Sequence, residues 1–294
     1  MTRIERKPGG FPEEIELKLA RVRYDWIESP PEASREDQAI FATIFGPFAV
    51  GKTTLAMTIA DGYYTQGIPC CVLDEAFSES PHLIPLSFKK KQLADHPHDR
   101  ELREEVQWLA KASEGFFLTE KEKQAERIKI LLRNVPPGAV ICLAADSHVD
   151  PVYALGFGVQ EVMAEQDLNE YLDQFQLIQR SLPRPDKIFA LTVSPENLIL
   201  RKERRLRENE TRGFEKGVPD SEVAILATIS NRVVEELIVK GWPVEVIDTD
   251  EIDYAYRPDD RAAISSLIQA QIRQIALERR IPAFGEINGE INLW

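Results

Sequence analysis

From Ala39 onward, short apolar runs alternate with longer stretches in which apolar residues recur every three or four positions. The short runs are IFATIF at 40–45, CCVLDE at 70–75, AVICLAADSH at 139–148, KIFALTV at 187–193 and PVEVIDTD at 243–250. They are rich in β-branched and aromatic residues and too short for buried helices, so they predict strands. The stretches between them predict helices over Thr53–Thr65, Glu101–Asn134 (broken near Gly115), two within 151–182, one opening at Ser194 and Pro195, and others over 221–240 and 259–280. Asp167 followed by Glu170 reads as a capping-box-like pair for the second helix of 151–182. Residues 79–99, with Pro81, Pro85 and Pro97, predict irregular structure containing a short helix. Strand and helix in alternation predict an α/β fold, a five-stranded parallel sheet with helices on both faces.

Three divisions follow: an N-terminal extension over 1–37 that docks a short helix around Ile15–Trp26, a main domain over 38–280, and a tail over 281–294. The 294 residues, 43% hydrophobic, suffice for one large domain with appendages. A net charge of −13 opposes binding to nucleic acid or an anionic membrane, so any phosphate site must be local. Cys70, Cys71 and Cys142 form neither a disulfide framework nor a metal spacing, and they read as core thiols of a reducing compartment. With no signal-peptide pattern and no apolar stretch of spanning length, the expectation is a soluble cytoplasmic protein.

Candidate chemistry begins where the first strand ends. Gly46, Pro47, Phe48, Ala49, Val50, Gly51, Lys52, Thr53 and Thr54 form a GxxxxGK(S/T) loop between a strand and a helix, the pattern of a P-loop NTPase fold. Its glycines let successive backbone N–H groups turn inward on a phosphate, and the following helix adds the positive end of its dipole. Lys52 is expected to reach the β and γ phosphates of ATP, and Thr53 to ligate Mg²⁺. Asp146, at the end of an apolar strand, has the pattern of an acid in the Mg²⁺ shell. Asp150 is either a substrate contact or the N-cap of the helix opening at Pro151. A basic run places five Arg or Lys among the seven residues from Arg201 to Arg207.

Taken together, the P-loop, LDEAFSESPHL at 73–83, and Arg201, Arg205, Arg207 and Glu210 at the spacing of a lid motif resemble the deoxynucleoside kinase family, thymidine-kinase-like P-loop kinases. The similarity covers about 39–254. It implies transfer of the γ-phosphoryl group of ATP to the 5′-hydroxyl of a nucleoside, with a helical lid. By the same resemblance Glu75 is the general base, and Arg201, Arg205 and Arg207 hold transferring phosphates. Glu210 then meets the sugar 3′-hydroxyl and Gln107 hydrogen-bonds the base. The sequence departs from the family pattern at three places. Ala145, Asp146 and Ser147 lack its Arg, Glu114 stands where a base-contacting Arg is expected seven positions after Gln107, and no tyrosine matches the sugar-contacting one near Phe88. A pocket rebuilt for another acceptor and a weakened activity both stay open. So do a nucleoside monophosphate kinase, a degenerate nucleotide-binding assembly protein, and a homodimer.

Overall fold

The computed structural model describes residues 11–31, 39–74, 80–208 and 217–281. Five parallel strands, β1 (Ile40–Phe45), β2 (Cys70–Leu73), β3 (Val140–Leu143), β4 (Lys187–Thr192) and β5 (Val244–Asp248), lie in the order β2-β3-β1-β4-β5. The first strand is central because it is apolar on both sides: all six residues of IFATIF are buried. Its alternate residues divide between the two faces. Ile40, Ala42 and Ile44 pack with Leu55 and Ile59 of α2 (Lys52–Tyr64) and Ile264 and Ile268 of α9 (Pro258–Glu278). Phe45 packs with Val152 of α5 (Val149–Val159) and Ile229 and Val233 of α8 (Asp220–Val239), and Phe41 with Ile128 of α4 (Arg100–Asn134). Period-two burial within a strand covered twice is the doubly wound arrangement expected from the alternating pattern.

The remaining described helices are α1 (Glu13–Arg21), α3 (Leu83–Asp95), α6 (Glu165–Gln179) and α7 (Pro195–Glu208). None among the described residues is long and apolar enough to cross a membrane. Ser194 caps α7, its Oγ accepting from Asn197 N at 3.3 Å, with Pro195 at the first position where no donor is needed.

Several expectations require correction. Helix α4 runs unbroken for 35 residues through Gly115, whose missing side chain faces open space. Residues 79–99 carry a full 13-residue helix, α3. Pro85 sits in its first turn, where N–H groups have no intrahelical acceptor to lose. The capping pair does not form: α6 starts after Ala164, and Asp167 and Glu170 both reach Lys111 on α4 instead, at 2.5 and 3.3 Å.

Residues 11–31 are built into the main core. Leu19, Trp26 and Ile27 are buried with Phe175, Ile229 and Trp242, and Arg232 donates to the Leu19 carbonyl at 2.7 Å.

Candidate active site

The loop between β1 and α2 is shaped by positive backbone angles at Gly46 (φ 152°), Ala49 (φ 60°) and Gly51 (φ 104°). At Gly51 only glycine fits. A Cβ there would lie 2.8 Å from the ring of Tyr254, which packs against the loop from beyond β5. The Tyr254 hydroxyl donates to the Val50 carbonyl. Lys52, the first residue of α2, is curled into the loop, donating to the Gly46 and Pro47 carbonyls at 2.9 and 3.2 Å. Its ammonium is thus held at the mouth of the cradle that the sequence predicts.

Thr53 is exposed beside Asp74, which follows β2, with Oγ1 and Oδ1 3.4 Å apart. Two hard oxygens at the solvent edge of a P-loop fit the first needs of Mg²⁺, which binds through one or two such groups plus phosphates and water. Asp146 does not fit. It is 2% exposed, and both carboxylate oxygens are engaged. Thr43 Oγ1 donates to Oδ2 at 2.5 Å, while Oδ1 accepts from His148 N at 2.9 Å and lies 2.5 Å from His148 Nδ1. Burial opposes its charge, but the imidazole and these hydrogen bonds prevail and hold the carboxyl below its ordinary value. The network continues from His148 Nε2 to Gln179 at 2.6 Å, and Gln179 accepts from Glu28 N at 3.1 Å. Asp146 therefore anchors the end of β3 to the core. No cluster of three or more metal-ligating side chains exists among the described residues.

The expected lid arginines separate into different environments on α7. Arg201 is taken up by the protein itself. Its guanidinium donates to Thr249 Oγ1 and Ile252 O at 3.0 Å each, to the Thr249 carbonyl, and at 3.5 Å to Val50 O of the P-loop. Arg204 lies over the Tyr256 ring and pairs with Asp253 at 2.7 Å, while Lys202 is buried against Val218 O and Asp220. Arg205 is half-buried and Arg207 is exposed. The proposed base Glu75 and the sugar contact Glu210 lie outside the described residues.

A cavity of about 70 Å³ opens beside the P-loop, walled by Phe48 of that loop and by residues of α3, α4, α5 and α8. Leu83, Leu86, Phe117, Phe157 and Leu226 make it largely apolar. Ser87, Lys90, Glu114, Asp150, Tyr153 and Glu222 supply its polar edge. Asp150 lies inside α5, which His148 precedes as N-cap, so the capping role falls away and the residue becomes a buried cavity wall paired with Lys121 at 3.5 Å. Gln107 is half-buried two turns before Glu114 on α4 and is not among the cavity-lining residues. Burial, then the negative charge of Asp150, pushes the Glu114 carboxyl well above the ordinary carboxylate range. The sequence alone places Asp74 at the end of the second strand without giving it a role, and it does not reveal Tyr254 or the cavity role of Glu114. The strand-end LDE and the substitution of an acid for the family's Arg were the available signals for the first and last.

No model of a known protein family matches the sequence. The chain is 27% identical over 193 residues to deoxyguanosine kinase of Bacillus subtilis (strain 168), covering 64% of this chain and 79% of that one. It also superposes on deoxyadenosine kinase from M. mycoides. The structure with products dCMP and dCDP bound gives a TM-score of 0.59 at 18% identity, covering 80% of this chain and 100% of the other. The structure with dATP bound gives 0.57 at 19%, covering 78% and 99%. In strand order and in the P-loop after the central strand this chain has the fold of these kinases, and in sequence it is similar to deoxyguanosine kinase.

Proposed function

We propose that the protein is a kinase that moves the γ-phosphoryl group of ATP to the 5′-hydroxyl of a deoxynucleoside. The observation that carries this reading is that Phe48 belongs both to the phosphate cradle and to the cavity wall, so donor and acceptor sites share a boundary. Phosphoryl transfer needs alignment and charge neutralisation rather than covalent help from the protein. The P-loop amides and Lys52 bind the donor phosphates, with Lys52 exchanging its loop carbonyls for phosphate oxygens. Thr53 and Asp74 would hold Mg²⁺, which when bound neutralises phosphate charge. Arg205 and Arg207 would meet the transferring group from the lid, and Arg201 supports the P-loop by donating to Val50 O. The apolar cavity takes the base and sugar, and Glu75 orients and deprotonates the 5′-hydroxyl. Lys90, the one cation among the described cavity-lining residues, is paired with Glu222 at 2.5 Å, which favours a neutral acceptor over a nucleoside monophosphate.

The test is product formation from Mg²⁺-ATP against nucleosides, nucleoside monophosphates and simple alcohols, with Lys52→Ala and Glu75→Gln alongside. Nucleosides should be phosphorylated, and Lys52→Ala should abolish turnover without unfolding the chain. Glu75→Gln should bind ATP normally and turn over about 10² or more slower. Wild-type activity in Glu75→Gln would remove it as the base, and activity confined to monophosphates would overturn the acceptor assignment.

A further inference from the structure

We infer that Glu114 sets the specificity of the acceptor cavity, selecting bases that carry an exocyclic amino group over the same bases with oxygen in that place. The inference deepens the kinase reading and rests on it.

Glu114 lines the cavity yet is only 2% exposed, and its Oε2 finds no hydrogen-bond partner among the described residues. A buried acceptor left unsatisfied costs about 1–3 kcal/mol, so the protein alone gives no reason for an acid here. A ligand that donates to Oε2 supplies the missing partner. The surroundings decide which kind of ligand. Asp150, 4% exposed and paired with Lys121 at 3.5 Å, lines the same cavity, and its charge acts on Glu114. Glu222 also lines it but is occupied by Lys90, whose ammonium also lies 5.0 Å from the centroid of the Phe157 ring. The polar edge is therefore rich in acceptor oxygens and poor in available positive charge. An amino group entering between Glu114 and Asp150 offers N–H donors to this edge, whereas a carbonyl oxygen meets the field of Asp150 lone pair first.

The protonation state sharpens the match. Burial and Asp150 favour the neutral form of the Glu114 carboxyl, which presents an acceptor next to a donor. An amino group beside an unprotonated ring nitrogen, the edge shared by adenine and cytosine, is complementary to both. The same residue type would clash with this arrangement if it were the family's Arg, which has donors only.

Sites built to hydrogen-bond a substrate N–H reject analogues lacking it strongly, because their own polar groups are then left unpaired. The experiment compares deoxyadenosine with deoxyinosine and deoxycytidine with deoxyuridine, each pair exchanging the amino group and its unprotonated ring nitrogen for an oxo group and a ring N–H. Both kcat/KM and equilibrium nucleoside binding are measured. Wild type should favour the amino member by about 10²-fold or more. Glu114→Met, of similar length but without a hydrogen-bonding group, should bring the ratio to within about tenfold of unity. Glu114→Gln, which keeps acceptor beside donor, should retain the preference. Equal use of amino and oxo members by wild type would overturn the inference and leave the kinase reading standing. Failure to bind or phosphorylate any nucleoside would overturn both. A folded Glu114→Met with an unchanged ratio would make Glu114 structural only, and the wild-type ratio decides the matter even if that variant does not fold.

Discussion

Glu114→Gln should stabilise the protein by an amount that grows with pH. In the native state burial and Asp150 raise the carboxyl well above the value of 4.5 that it has when unperturbed. Above that value the unfolded chain has lost the proton and the native chain has kept it. The native state then binds more protons, so wild-type stability falls as pH rises, from about 4.5 up to the raised native value. Below that window both states are protonated and the contribution to pH dependence vanishes. Each unit of pH within the window costs about 1.4 kcal/mol, the free energy of one proton equivalent. Glutamine has nearly the same shape and no proton to lose, so the variant escapes this slope. Charged and titratable neighbours, Asp150, Lys121 and Tyr171, are common to both proteins and cancel in the difference. Urea unfolding followed by the fluorescence of the 4 tryptophans, at pH values from 4.5 to 7.5, gives the difference directly. Over that range the variant should gain progressively on the wild type. A difference independent of pH would refute the buried, neutral acid.

Arg201→Ala should lower stability by about 2–4 kcal/mol, because it strips donors from the Thr249, Ile252 and Val50 carbonyls, and it should weaken ATP binding in a nucleotide titration. Arg205→Ala and Arg207→Ala should lower kcat by tenfold or more with little change in acceptor KM, and exposed Arg207→Ala should leave stability within about 0.5 kcal/mol. Asp146→Asn should lower the melting temperature equally with and without Mg²⁺, since the carboxylate serves Thr43 and His148. An effect seen only through Mg²⁺ affinity would return Asp146 to the metal shell.

Strands and the P-loop were legible because their signals are local: β1 is apolar on both faces within six residues, and the Gly-Lys-Thr motif follows it directly. What escaped depended on partners far along the chain. Asp146 looks like a strand-end ligand until Thr43, 103 positions earlier, is seen donating to it. Arg201 has the spacing of a substrate arm, but Thr249 lies 48 positions on and takes its guanidinium. Gly115 suggested a break, yet a lone glycine costs a helix only about 1 kcal/mol, and the packing of Val106, Leu109, Leu118 and Ile128 on either side outweighs it. The buried position of Glu114 could not be read from its charge, since acids are seldom found there.

The seat of the N-terminal segment carries a consequence for how the chain is made. Glu28 meets Gln179 across 151 positions and Trp242 across 214, and Leu19 meets Arg232 across 213. On a ribosome adding about 5–20 residues each second, Glu28 waits roughly 10–40 s before Trp242 exists. Over that interval Trp26 and Ile27, which end fully enclosed, have no surface to cover them. The segment 11–31 is thus made well before the elements that cover it, and the nascent protein carries this apolar stretch uncovered, favouring chaperone contact, until α8 and Trp242 have emerged.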